Sequence, residues 1–119
     1  MSFTSTSETA SLTTLHRVGI ALAAITGVIH LAFGALAIDT AQGISFVLAG
    51  IAFFVAAGLV VVDYRRRLIY LVGIPFTAVQ IVLYFYLNWP NVISPLGIGD
   101  KVVQTGLIAI LVVLYRRES

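Results

Sequence analysis

The sequence predicts an all-α protein, a bundle of four transmembrane helices. The first observation is composition: 60% of the residues are hydrophobic, 10% are charged and the mean hydropathy is +1.05. Soluble domains carry about 25% charged residues, so this chain is expected in a lipid bilayer. The second observation is that polar segments separate four apolar stretches of about 20 residues, the length that crosses a hydrocarbon core of ~30 Å. Within 119 residues this leaves no room for a soluble catalytic domain.

The densest charge cluster divides the apolar sequence into two halves. It consists of Asp63, Tyr64, Arg65, Arg66 and Arg67. An arginine costs roughly 2.5 to 3.5 kcal/mol near the centre of a membrane helix, so this run is expected in water or among headgroups. Each half has room for two spans and a connection. The predicted spans are residues 18–38, 44–63, 68–87 and 97–115, in a single domain of residues 15–119.

The first half begins with a polar tail, residues 1–14, which is rich in serine and threonine and is predicted to be disordered. The small residues Ala35 and Ala37, which follow the first apolar run, also resemble a signal-peptidase site. The run is long enough to span, however, and that favours a membrane helix. Residues 39–43 are too few for anything but a tight connection between two antiparallel helices.

The third span has two distinguishing features. It contains Pro75, which removes one backbone hydrogen bond and predicts a kink. It closes on Tyr84, Tyr86 and Trp89, and aromatic residues in this position are typical of the belt at a membrane interface.

The last span is the least clear in the sequence. Residues 88–99 contain two prolines and two glycines and form the longest predicted loop. The apolar run that follows, residues 102–115, is short for a span, so we expect the helix either to start near Leu96 or to be matched by local thinning of the bilayer. Asp100 is predicted to cap it.

The distribution of lysine and arginine predicts the orientation. Six arginines fall at the ends of spans on one side of the membrane, and only Lys101 falls on the other. The positive-inside rule then places both termini in the cytoplasm, which requires an even number of spans. The six topology residues are Arg17, Arg65, Arg66, Arg67, Arg116 and Arg117.

An internal repeat is a further interpretation. Residues 60–66 (VVVDYRR) and 111–117 (LVVLYRR) match, and a similar offset aligns His30 with Gln80. The two halves would then be parallel helical hairpins related by an axis along the membrane normal. The alternative is that valine-rich spans ending in Tyr-Arg-Arg are typical of any helix anchored at an interface.

Glycine and alanine recur at helical spacing in the first two spans. Residues four apart share one helix face, and small residues let another helix backbone approach closely. Such a stripe indicates either tight packing within the bundle or a homodimer seam along the first span. The candidate packing residues are Gly19, Ala23, Gly27, Gly34, Gly50 and Gly58.

A few polar residues lie within the predicted spans and form the candidate site. His30 is the most informative, because an ionisable group inside a membrane is by default a candidate for function. The alternative is that these groups only join helices, since each interhelical hydrogen bond stabilises by about 0.6 to 2 kcal/mol. The candidate polar site comprises His30, Thr77, Gln80, Tyr84 and Gln104.

Most kinds of catalytic chemistry have no counterpart in the sequence. The chain contains no cysteine, no metalloprotease or nucleophile motif and no phosphate-binding loop, so we expect neither an enzyme nor a metal site. His16 and His30 are 14 residues apart on a similar face, a spacing that membrane cytochromes use for stacked haems. Each iron would need a second ligand from a symmetric dimer, however, and no cofactor is predicted.

Two short segments resemble a known kind of protein. Gly27–Gly34 (GVIHLAFG) and Gly97–Gln104 (GIGDKVVQ), in a four-span chain with both ends inside, resemble small membrane proteins of unknown function from halophilic archaea. The resemblance covers most of the chain and implies the four-span fold and a membrane location. It implies no catalytic residues.

Three functions follow from these observations as hypotheses. The first is a non-enzymatic accessory or interaction subunit, in a homodimer or a larger membrane complex, which the packing stripes and sparse polar chemistry favour. The second is a small dimeric transporter or channel that uses His30 and Gln80, although a proton-driven pump without an intramembrane carboxylate is difficult to run. The third is a quinone- or haem-linked redox subunit. The lipid bilayer is the expected environment, and no nucleic acid is expected as a partner.

Overall fold

A computed structural model describes residues 12–117 of the chain. These residues form four α-helices without any β-strand: α1 (Thr14–Leu36), α2 (Ala41–Val61), α3 (Arg66–Asn88) and α4 (Pro95–Arg117). Each helix has the length and apolar composition that crossing a membrane requires. The predicted all-α architecture of four helices is confirmed. Of the polar tail predicted for residues 1–14, residues 1–11 lie outside the described residues.

Threonine side chains start the first two helices a few residues before the predicted spans. Thr13 Oγ1 accepts a hydrogen bond from the His16 N–H at 3.3 Å, and His16 Nδ1 accepts one from the Thr13 N–H at 3.2 Å. This reciprocal pair is a capping box. At the start of α2, Thr40 Oγ1 accepts from the Gly43 N–H at 2.9 Å. The caps satisfy backbone donors that apolar side chains could not.

Helix α4 starts at Pro95, in agreement with the expectation of a start near Leu96. Ser94 is the capping residue, because its Oγ accepts from the Gly97 N–H at 3.0 Å. Pro95 takes the first helical position, where a missing N–H costs nothing. Asp100 and Lys101 therefore lie in the second turn of α4 and are buried inside the bundle. The prediction of Asp100 as a cap is wrong, because the helix begins five residues before it. Lys101 was counted at the end of a span away from the arginines, and the structure shows that its side chain is buried there.

The helices pack in the order α2, α1, α4, α3. Helix α1 packs extensively against α2 and also against α4, and α3 packs mainly against α4. Helices α2 and α3 meet only slightly, although a short connection joins them. The buried apolar residues form two clusters, one of Ala23, Phe53 and Leu107 and one, nearer the α2–α3 connection, of Val60, Tyr70 and Leu114.

The small residues of α1 face the interior of the bundle. The buried ones are Gly19, Ala23, Gly27 and Gly34. Their backbone lies close to α2: a Cβ added to Gly50 would lie 2.8 Å from the carbonyl oxygen of Gly27. The stripe is therefore occupied by packing within the chain. Gly58 differs, because it lies on the exposed side of α2, where a Cβ would meet no atom within 4 Å.

The arginine cluster forms a sharp connection between α2 and α3. Asp63 and Arg65 adopt left-handed backbone conformations, with φ of 57° and 51°. The buried Arg66 donates from Nε to a carbonyl oxygen in the last turn of α2 at 2.8 Å and pairs with the Asp63 carboxylate at 3.3 Å. The Arg67 guanidinium lies 4.5 Å from the ring centroid of Tyr115. Contacts among these residues place the end of α2, the start of α3 and the end of α4 together at one end of the bundle.

Candidate functional site

Polar side chains from α1, α3 and α4 form one hydrogen-bonded network inside the bundle. This polar network consists of Thr26, His30, Gln80, Asp100, Lys101 and Gln104. Counted over the whole residue, each of them except the half-buried Gln80 is at most 9% exposed. Buried polar groups cost free energy unless they are paired, and this requirement is strict within a bilayer.

Thr26 stands at the centre of the network. Its Oγ1 donates a hydrogen bond of 2.7 Å to Asp100 Oδ1 and accepts one of 3.3 Å from Gln104 Nε2. Thr26 is fully buried, so both bonds are made away from solvent. One hydroxyl therefore joins α1 to two positions of α4.

Gln104 extends the network to α3. Its Nε2 donates to Gln80 Oε1 at 2.9 Å, and Gln80 Nε2 donates to the Phe76 carbonyl oxygen at 3.2 Å. The amide of Gln104 also accepts a bond of 2.6 Å from Lys101 Nζ at its Oε1. Both ends of this buried side-chain amide are thus satisfied, and three of the four helices are connected.

His30 has a defined orientation in the network. Its Nδ1 lies 2.8 Å from the backbone carbonyl oxygen of Thr26. Because that oxygen can only accept, we assign the proton of the neutral ring to Nδ1, which leaves the lone pair on Nε2. The ring packs against Phe46 and Phe53 of α2, with centroid distances of 5.0 and 5.7 Å. The imidazole can therefore accept a proton or a hydrogen bond at Nε2.

Asp100 and Lys101 form an ion pair inside the bundle. Lys101 Nζ lies 3.1 Å from Asp100 Oδ2, and the two side chains are only 11% and 6% exposed. The ammonium group also lies 5.2 Å from the ring centroid of Tyr84, on α3. Each oxygen of the carboxylate has a partner, Thr26 at Oδ1 and Lys101 at Oδ2. A charge pair that leaves water needs such additional bonds to offset its desolvation.

The polar network borders a cavity of about 350 Å³ at the end of the bundle opposite the arginine cluster. We call this space the outer cavity. His30, Asp100 and Lys101 line it from below, and residues near the α1–α2 turn and the α3–α4 loop line it from above. The size lies in the range of small-molecule pockets, roughly 300 to 1,000 Å³. The polar residues that line the outer cavity are His30, Gln42, Tyr84, Asn88, Ser94, Asp100 and Lys101.

The structure separates the residues that the sequence grouped together. His30, Gln80 and Gln104 share the polar network, and Tyr84 borders it through its ring while its hydroxyl donates to the Val92 carbonyl oxygen at 2.7 Å. Thr77 is not part of the network. It lies three residues before Gln80 on α3, which continues as one helix through Pro75, and it lines a different, apolar cavity.

Sequence reasoning missed Thr26, Asp100 and Lys101 as members of the site. A signal for the last two existed, because Asp100, Lys101 and Gln104 fall at i, i+1 and i+4 and so lie near one face of a helix that begins at Pro95. For Thr26 the only signal is its position four residues before His30.

The network offers few ways to hold a metal ion or a haem. Within residues 12–117, no three His, Asp or Glu side chains lie close enough together to hold a metal ion. His16 and His30 line different cavities. A carboxylate, an ammonium group and an imidazole bordering one space can instead bind a small polar solute or relay a proton.

Comparison with known proteins identifies a family whose function is unknown. No curated protein and no solved structure matches the chain. Residues 3–115 match DUF7475, a family of unknown function. Because this match covers nearly the whole chain, the protein belongs to the DUF7475 family of unknown function.

Proposed function

We propose that this protein is a small, non-enzymatic transporter or channel of the cell membrane. One observation carries the proposal: the buried Asp100–Lys101 ion pair and His30 together border the outer cavity. Ionisable residues are expensive inside a bilayer, and they commonly mark the pathways of ions, protons and polar solutes. The sequence favoured an accessory subunit because of its packing stripes and sparse polar chemistry, and the lack of an intramembrane carboxylate counted against transport. The burial of Asp100 removes that objection to transport.

The proposed orientation has both termini in the cytoplasm. The arginines of the α2–α3 connection and of the two termini lie at one end, and the positive-inside rule assigns that end to the cytoplasm. With Lys101 inside the bundle, the connections at the other end, residues 37–40 and 89–94, contain no lysine or arginine. The charge asymmetry is therefore stronger than the sequence predicted. The outer cavity then opens away from the cytoplasm.

A proton could pass along the network through groups already in contact. Thr26 Oγ1 lies 3.3 Å from His30 Nδ1 and 2.7 Å from Asp100 Oδ1, so one hydroxyl separates the imidazole from the carboxylate. Protonation of His30 places a positive charge beside this pair and weakens the hold of Lys101 on Asp100. Toward the arginine end, the packed cluster of Val60, Tyr70 and Leu114 closes the bundle. Transport would require this end to open, and the slight α2–α3 contact is where the helices can separate most easily.

Proton flux into vesicles tests the proposal. Purified protein would be reconstituted with an internal pH-sensitive dye, and a potassium diffusion potential would drive protons inward. We expect flux well above that of protein-free vesicles, and a loss of about tenfold or more in Asp100→Asn and in His30→Ala. Asp39→Asn is the matched control, because Asp39 is an exposed acid at the α1–α2 turn. Wild-type flux equal to that of protein-free vesicles, at low salt and in molar KCl, would contradict the proposal.

The high-salt condition is included for a specific reason. The motifs Gly27–Gly34 and Gly97–Gln104 suggest an origin in halophilic archaea, whose proteins work in concentrated salt. That origin is a prediction. A repeat of two parallel hairpins is likewise a prediction, and the alignment of His30 with Gln80 gains interest because both belong to the polar network.

An accessory role is the second candidate, and the unequal burial of the helices favours it. The most apolar 18-residue windows of α2 and α3 have only 17% and 11% of their residues buried within the bundle, against 33% for α1. Helices α2 and α3 therefore keep the most surface for another copy of the chain or for other membrane proteins. Native mass spectrometry of gently extracted protein distinguishes these cases. A larger complex of fixed stoichiometry would support the accessory role, and a monomer or homodimer would oppose it.

A further inference from the structure

A second cavity lies between the halves of the helices nearer the arginine cluster. We call this space of about 320 Å³ the inner cavity. It exists because small side chains face each other across the slight α2–α3 contact, with Ala52, Ala56 and Ala57 on α2 and Gly73 on α3. Of the described residues that line it, only His16, Tyr70 and Thr77 have polar side chains.

The Thr77 hydroxyl is the unusual group in this cavity. The residue is 1% exposed, and its Oγ1 has no hydrogen-bond partner among the described residues. A threonine inside a helix commonly bonds to the carbonyl four residues before it, but Thr77 does not. A buried hydroxyl without a partner costs free energy, so this group is poised to bond with something that occupies the cavity.

A bound water is a poor candidate for that partner. Buried waters make about three hydrogen bonds, with a range of two to four. The nearest other polar side chain of the lining on the same helix is Tyr70, seven residues or about 10 Å away along the axis. Water beside Thr77 would thus find a single side-chain partner.

The acyl chain of a phospholipid also fails to satisfy Thr77. This residue lies at the midpoint of α3, eleven residues after Arg66 and eleven before Asn88. A helix midpoint corresponds to the bilayer centre, about 15 Å from the interfaces where the ester oxygens of lipids lie. An acyl chain that reached Thr77 would present only methylene groups to its hydroxyl.

The size and lining of the inner cavity indicate a ligand with a compact, uncharged ring. A dry protein cavity of about 150 Å³ holds benzene, so one of 320 Å³ has room for a ring with substituents or a second ring. Phe53 and Phe76 line the cavity next to Thr77, with their ring centroids 5.4 Å apart. Within the part of the chain that the structure describes, no lysine, arginine, aspartate or glutamate lines it, which favours an uncharged ligand.

The inner cavity is accessible from the lipid. Val72 and Phe76 line it and are nevertheless 56% and 38% exposed, so the opening lies on the outside of α3. We propose that the inner cavity binds a lipid-soluble quinone, with the Thr77 hydroxyl donating a hydrogen bond to a ring carbonyl. The proposal concerns binding alone and does not depend on transport through the outer cavity.

Binding of menadione, a quinone without a long tail, tests the inference. The purified protein in detergent would be titrated by equilibrium dialysis. We expect saturable binding, a loss of affinity of about three- to tenfold in Thr77→Val, and a larger loss in Ala56→Leu, which fills the cavity. Thr105→Val and Ala21→Leu are matched controls, because both residues are exposed and lie outside the cavity; neither should change the affinity.

The outcomes separate binding from misfolding and from unspecific uptake. Thr77→Val changes no volume and removes a hydroxyl that has no partner, so it should fold as the wild type does, and circular dichroism checks this. Equal menadione affinity in the wild type and Thr77→Val, or no saturable binding, would overturn the inference. Mass spectrometry of lipids extracted with the native protein adds an independent result: a stoichiometric quinone supports the inference, and phospholipid alone opposes it.

Discussion

Thr26 Oγ1 donates a hydrogen bond of 2.7 Å to Asp100 Oδ1, although 74 residues separate the two in the sequence. This bond joins the middle of α1 to the second turn of α4. It also satisfies one carboxylate oxygen, while Lys101 pairs with the other. A buried aspartate is tolerable here only because both oxygens have partners.

Thr26→Val should therefore destabilise the protein more than its small change of shape suggests. The substitution leaves Asp100 Oδ1 buried without its donor, which costs about 1 to 3 kcal/mol. Thr26→Ser keeps the hydroxyl and should lose clearly less. Unfolding by denaturant in mixed micelles measures the difference. Equal stability of the valine variant and the wild type would show that the bond contributes little.

Lys101→Met should be among the most destabilising single changes, because it leaves the Asp100 carboxylate buried without its counter-ion. Breaking a buried pair in this way costs about 3 to 5 kcal/mol. The double variant Asp100→Asn, Lys101→Met should be more stable than Lys101→Met alone, since no charge is then left unpaired. A double-mutant cycle measures the coupling between Asp100 and Lys101. The loss of stability in Asp63→Asn, which breaks an exposed ion pair, gives the comparison. Asp63 is 41% exposed, so its pair with Arg66 is worth at most about 1 kcal/mol.

The effect of a glycine substitution in α2 on stability should depend on how close that glycine lies to α1. Gly50→Leu forces a side chain toward the Gly27 carbonyl oxygen, which lies 2.8 Å from the position of a Cβ, so the helices must separate. We expect a loss of several kcal/mol or failure to fold. Gly58→Ala faces open space and should be neutral or stabilising by about 0.5 to 1 kcal/mol. Thermal stability in detergent checks both, and equal losses would contradict the packing described.

Arg65→Gly should stabilise the connection between α2 and α3. Arg65 has a left-handed backbone with φ of 51°, which costs a residue with a Cβ roughly 1 to 2 kcal/mol relative to glycine. Part of this gain is offset by the greater entropy of glycine in the unfolded chain, so we expect about 1 kcal/mol or less. Arg67→Gly is the control: Arg67 lies in the first turn of α3 without a left-handed backbone, and the variant also removes its contact with Tyr115, so it should be destabilised. A destabilised Arg65→Gly would be the contrary result.

Single cysteines can establish the orientation, since the chain contains none. Asp39 and Tyr64 are exposed residues at opposite ends of the bundle. In intact cells a membrane-impermeant maleimide should label Asp39→Cys and should label Tyr64→Cys only after lysis. Labelling in the opposite order would place the arginine end outside and would reverse the direction in which the outer cavity opens.

The class of protein and the approximate positions of the helices could be predicted because both depend on local composition. Apolar runs of about 20 residues satisfy the bilayer wherever the other helices lie. Arginine runs such as Arg65 to Arg67 likewise mark ends of spans without reference to tertiary structure. The small residues on one face of α1 indicated close packing for the same local reason, although they did not show which helix would approach.

The candidate site depended on contacts that no local pattern records. His30, Gln80 and Gln104 were visible as polar residues within spans, but the network also requires Thr26 and the Asp100–Lys101 pair. Those two charged residues fell near the start of the predicted span 97–115, and no local pattern showed that they face the interior. With α4 starting at Pro95, they lie in its second turn. Thr77 and Gln80 looked equivalent in sequence, yet among the described residues only Gln80 has a hydrogen-bond partner for its side chain.

The sequence by itself determined that the chain forms four helices long and apolar enough to cross a membrane, with arginines near their ends, because the transfer of side chains to lipid is a property of each segment. Only the tertiary structure decided that a carboxylate and an ammonium group lie inside the bundle and that the Thr77 hydroxyl is buried without a partner within residues 12–117. The cost of a buried polar group is set by what lies opposite it, and helices distant in the chain supply that environment.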